Sequence, residues 1–91
     1  MLKIQDCKYV EGYQLQVIFD NGDGVANLQD EVTQEPYIVL RDINTFKRFY
    51  VDHGAVCWQD GKIDMALEYL FFLVNKDKSE LQPLFKRWGY I

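Results

Sequence analysis

The chain is poor in the residues that do most catalytic and metal chemistry. It has one histidine, His53, and two cysteines, Cys7 and Cys57. A single histidine excludes a multi-histidine metal site. The cysteines lie fifty residues apart, in no metal-ligand spacing. Both fall in apolar, strand-like runs, where a free thiol behaves as a small buried hydrophobe. A His53–Cys57 dyad is also disfavoured: four residues along one strand span roughly 13 Å, beyond hydrogen-bond reach. The opening MLKIQD has no apolar signal-peptide core. The longest apolar run, Tyr69 to Val74, is far shorter than the roughly 20 residues a membrane span requires. A cytoplasmic protein is the expectation. Repeats and low-complexity runs are missing too.

What is present suits one small domain. Ninety-one residues, 48% hydrophobic and 15% aromatic, supply a core without disulfides. The net charge is −4 and uneven. Residues 1–45 carry three basic and eight acidic side chains, whereas residues 76–91 carry four and two. An acidic body disfavours the phosphate backbone, which needs clustered Lys and Arg. No direct nucleic-acid binding is expected.

The fold expectation is α+β: an antiparallel sheet of about five strands, built from hairpins, under one main helix, plus a short C-terminal helix. Residues 1–75 would form the domain and 76–91 a helical tail. Leu2 to Val10 reads as a first strand. Tyr13, Leu15, Val17 and Phe19 alternate with polar neighbours, the mark of a half-buried strand. Asp20–Gly24 turns a hairpin around Asn-Gly. As a calcium loop it would place Phe19 at the first ligand position, and phenylalanine cannot ligate.

Gln29 to Gln34 is polar and acidic, a short helix or loop, and Glu35-Pro36 favours an extended turn. Tyr37 to Leu40 is a brief apolar segment, and Asp42 or Asn44 would cap at most one helical turn. Phe46–Val51 and Ala55–Trp58 read as strands joined through Asp52-His53-Gly54. Met65 to Val74 is apolar on most of its circumference and reads as the main helix, with Asp64 as its N-cap. Phe19, Phe46, Phe49, Val51, Val56, Trp58, Leu70 and Leu73 are the predicted core. In the tail, Leu81, Leu84, Phe85 and Trp88 fall at i, i+3, i+4, i+7, and Gly89 is a suitable stop.

Residues 13–73 resemble a bacterial domain-of-unknown-function family, number 2442. The matching pieces are VIFDNGDGVANL, VLRDINTFKRFYVDHGAVCW and KIDMALEYLFFL, in that order. Leu67 stands where the family often has proline, Asn27 where Asp is common, and Gln59-Asp60-Gly61 where Pro-Asn-Gly is frequent. The resemblance implies an antiparallel α+β fold, no established enzymatic activity, and in some members an arrangement similar to toxin–antitoxin pairs.

Two function classes follow. The first is a non-enzymatic protein-interaction module, the acidic, antitoxin-like partner of a neighbouring small basic protein. The second is a small enzyme with a shallow carboxylate site at Asp60 and Asp64. For the first, the partner-binding residues would be Tyr69, Phe72, Leu81, Leu84, Phe85, Trp88 and Tyr90. An all-round apolar helix and an apolar tail stripe each need cover. They would satisfy each other within one chain or across a homodimer, and the aromatic content favours the dimer. No catalytic residue, metal ligand or cofactor is expected.

Overall fold

The computed structural model describes residues 2–91. The chain is α+β, but the expected single five-stranded sheet is two three-stranded antiparallel sheets. The first comprises β1 (Ile4–Tyr9), β2 (Gln14–Phe19) and β3 (Gly22–Asn27), in that order. The second comprises β4 (Tyr50–Asp52), β5 (Ala55–Trp58) and β6 (Ile63–Ala66). Three helices complete the chain: α1 (Ile43–Phe46), α2 (Leu67–Asn75) and α3 (Gln82–Trp88). Tight 3-10 turns occupy Glu31–Thr33, Tyr37–Arg41 and Ser79–Leu81.

Period-two alternation in β2 sends Leu15, Val17 and Phe19 fully inward, as the pattern requires. Its partner β3 is built from small residues on the same face: Val17 pairs with Gly24 and Leu15 with Ala26. That thin surface lets α2 settle against the sheet. The gap at Gly24 is filled by Val74, and a methyl group there would overlap Val74 Cγ1. The turn joining β2 to β3 is Asp20-Asn21, with Asp20 also bonded to Lys3 through both its amide and its carboxylate.

The second sheet corrects three expectations. Phe46 is not in a strand. It ends α1, whose first turn is closed by Phe46 N–H on the Asp42 carbonyl and by Thr45 Oγ1 on the Asp42 carboxylate at 2.8 Å. Strand β4 therefore begins only at Tyr50, and as a three-residue edge it leaves Val51 exposed. The main helix begins at Leu67, not Met65. Ile63 and Met65 point inward opposite Trp58 and Val56, so cross-strand packing claims them first. Asp64 is consequently a strand residue with an exposed side chain, paired across the ladder with Cys57. It does not cap; Ala66 stands at the N-cap of α2 with no side-chain hydrogen bond.

One aromatic cluster joins the two sheets. Phe46 is fully buried, edge-on to Tyr9 of the first sheet at 6.3 Å and to Tyr13 in the turn before β2 at 5.4 Å, and stacked on Trp58 of the second sheet at 6.1 Å. The Trp58 indole N–H donates to the Phe46 carbonyl at 2.9 Å, so the burial of a polar group is matched by a bond. Of the predicted core, Phe19, Phe46, Val56, Trp58 and Leu70 are buried, while Phe49 and Leu73 are only partly so. The expected turn is tighter, His53-Gly54, because Asp52 ends β4 opposite Ala55; His53 sits in the left-handed region at φ 49°. Among the described residues, no helix is long and apolar enough to cross a membrane.

Candidate partner-binding surface

The tail packs on α2 within the same chain. Two hydrogen bonds across the linker tie the start of α3 to the end of α2. Asn75, the buried polar residue at the end of α2, donates from Nδ2 to the Phe71 carbonyl at 2.9 Å. Gln82 Nε2 donates to the carbonyls of both Lys76 and Lys78, each at 2.9 Å. The Lys76 carbonyl at the C-cap of α2 thus finds a donor in the start of α3. Gly89 closes α3 with φ 86°, its N–H on Lys86 and the N–H of Tyr90 on Phe85, the paired bonds of a Schellman stop.

Aromatic side chains fill the contact. Phe85 is fully buried, 6.2 Å from Phe71 and 5.0 Å from Phe72, edge-on to both. It is interior to the chain, and this corrects its place among the expected partner-binding residues. The intramolecular cover also removes the need that made a homodimer attractive. Leu81 and Leu84 are partly buried against the same core, and Leu81 lines a small cleft with Phe19, Val74 and Lys78. Trp88 is partly buried beside Phe71 and Phe85.

Leu81, Leu84 and Trp88 keep the same intermediate exposure as the three remaining expected residues, which form one patch. Tyr69, Phe72 and Tyr90 form a contiguous, half-exposed trio with centroid separations of 5.1 to 6.1 Å. Carboxylates rim it. Tyr69 Oη donates to Glu31 Oε2 at 2.6 Å, across 38 residues of sequence. Beside this bond lies a cavity of about 220 Å³ lined by Glu31, Gln34, Glu35, Tyr37 and Tyr69. Tyr37 Oη in turn donates to the backbone carbonyl of Asp64 at 3.1 Å.

The local electrostatics activate neither the phenols nor the thiols. Burial raises the pKa of Tyr69, and its hydrogen bond to Glu31 adds to this. Burial also raises Tyr37, with Asp64 and Glu31 contributing, and raises Tyr90, with Glu68 contributing. All three phenols stay neutral well past physiological pH. The thiols are similarly quiet: burial, then Asp6, pushes Cys7 up to about 12, and burial, then Asp64 and Asp52, pushes Cys57 up. Neither is an activated nucleophile.

The other expected site does not assemble. Asp60 lines a cleft with Thr45, Arg48, Tyr50 and Gln59, whereas Asp64 lines a different one with Lys3, His53 and Glu68. Among the described residues, no three His, Cys, Asp or Glu side chains group as metal ligands. Sequence reasoning missed Glu31, Glu35 and Tyr37 as companions of Tyr69. Their only local signal is an acidic stretch running into Pro36-Tyr37, which reads equally well as a solvated loop. No protein-family model matches the chain, and no curated protein or solved structure matches it.

Proposed function

We propose that this chain is a non-enzymatic protein-interaction module of the bacterial cytoplasm, the acidic, antitoxin-like partner of a small basic protein encoded beside it. The reading keeps the likeness to family 2442. The observation that carries it is the half-exposed trio of Tyr69, Phe72 and Tyr90 with carboxylates on its rim. Interface centres favour aromatic side chains that cost little entropy to fix, and a charged rim sets partner sign and association rate. A body with eight acidic and three basic side chains over residues 1–45 selects a basic partner and rejects nucleic acid.

Co-expression with the product of the adjoining reading frame tests the proposal. The two proteins should co-purify and form a complex whose affinity falls as salt is raised. Tyr90→Ala and Glu68→Lys should each weaken it about tenfold. Both residues lie at the surface, so thermal melts should show folded variants. Affinity unchanged in both would remove the trio from the interface.

A further inference from the structure

We propose that the cavity between Tyr37 and Tyr69 is a receptor for an arginine side chain, with Glu31 and Glu35 taking the guanidinium and the tyrosine rings its faces. This deepens the interaction-module reading and rests on it. The site is a formed cavity of about 220 Å³ with two aromatic walls. Both phenol hydroxyls are already engaged, Tyr69 on Glu31 and Tyr37 on the Asp64 carbonyl. Those bonds fix both rings at the cavity edge, and the Tyr69 ring, already packed against Phe72 and Tyr90, gives the cavity its remaining surface.

The carboxylates lack a cation. Among the described residues the one ion pair is His53 with Asp52, at 3.5 Å, and it lies on the β4–β5 turn. Glu31 uses one oxygen for Tyr69, and its other oxygen accepts no hydrogen bond among the described residues. Glu35 is exposed and has no side-chain bond there. Two carboxylates without a countercharge, beside two neutral aromatic rings, match what a guanidinium offers: a planar fork of donors and a flat cationic face. An ammonium offers a point charge and no face to stack, so arginine fits the cavity better than lysine.

The probe is a labelled hexa-arginine peptide, titrated into the full chain at low salt and followed by anisotropy. Glu31→Gln/Glu35→Gln should weaken binding about tenfold, because both countercharges are lost while glutamine still accepts the Tyr69 hydroxyl. The charge-matched control Glu11→Gln/Asp77→Asn should stay within about twofold, since any loss there reads only screened net charge. Hexa-lysine should bind about fivefold more weakly than hexa-arginine. The ring protons of Tyr37 and Tyr69 should shift in NMR spectra as the arginine peptide is added.

No binding, an equal loss in the control, equal affinity for hexa-lysine, or unmoved tyrosine rings would each overturn the arginine receptor. Should the double variant fold poorly, Glu35→Gln alone serves, with a loss of about threefold expected and no loss overturning the assignment. The outcome is separable from the broader reading. A partner complex that is sensitive to Tyr90→Ala but indifferent to Glu31→Gln/Glu35→Gln sinks the receptor and leaves the module standing.

Discussion

Phe85→Ala should lower the stability of the isolated chain by about 3–5 kcal/mol, the usual cost of emptying a fully buried phenylalanine site. The side chain has no exposure and touches Phe71 and Phe72 edge-on. Its loss would uncouple α3, since a seven-residue helix has no independent stability in water. Small domains hold only about 0.05–0.15 kcal/mol per residue, so the variant should melt on the order of 15 °C or more below the parent. Chemical denaturation at two protein concentrations checks both parts. The loss should be the same at each concentration, because the packing is within one chain. A stability that rose with concentration would return the tail to a dimer interface, and an unchanged stability would mean Phe85 is not packed on α2 in solution.

Gly24→Val should cost about 1–3 kcal/mol or more, for a different reason. Here nothing is removed. The added side chain enters the space already occupied by Val74, where α2 packs on β3. Backbone conformation is not the obstacle: valine suits a strand, and the clash is with one side chain. A second change should therefore relieve it. Val74→Ala alone loses a little packing, but combined with Gly24→Val it should recover at least half of the lost stability, a coupling a double-mutant cycle reads directly. Costs that simply add would show that α2 does not rest on Gly24.

Much of the fold is legible in the chain because the relevant forces are local. The alternation of Leu15, Val17 and Phe19 leaves a strand no other choice, and Asp52-His53-Gly54 is turn chemistry in any context. The tail stripe and its glycine stop declare α3, although Leu81, the first residue of the stripe, falls in the 3-10 turn before the helix proper. Where local signals mislead, tertiary contact decides. Ile63-Asp64-Met65 reads locally as the capped start of a helix, yet the partners Trp58 and Val56 make it a strand. Phe46 reads as strand by β-propensity, yet the Asp42 turn and the slot beside Trp58 hold it in α1. The division into two sheets is not legible at all, because it depends on a core in which Tyr13, Phe46 and Trp58 meet from three separate segments.

The surface is legible in half. Tyr69, Phe72 and Tyr90 stand out as aromatics beyond the needs of one helix face, and they do meet. Phe85 has the same sequence signature and lies inside, since apolar periodicity marks a face without saying what covers it. Glu31 and Tyr37 reach Tyr69 across more than thirty residues, and no local pattern predicts that closure.

The most direct measurement is amide hydrogen exchange of the chain, alone and mixed with the proposed basic partner, the product of the adjoining reading frame. The partner-binding surface predicts added protection in residues 31–37 and 69–73 and in the last turn of the tail through Tyr90, with the outer face of β1 and β2 unchanged. Protection confined to β1 and β2, with the α2–α3 surface exchanging as in the free chain, would contradict it.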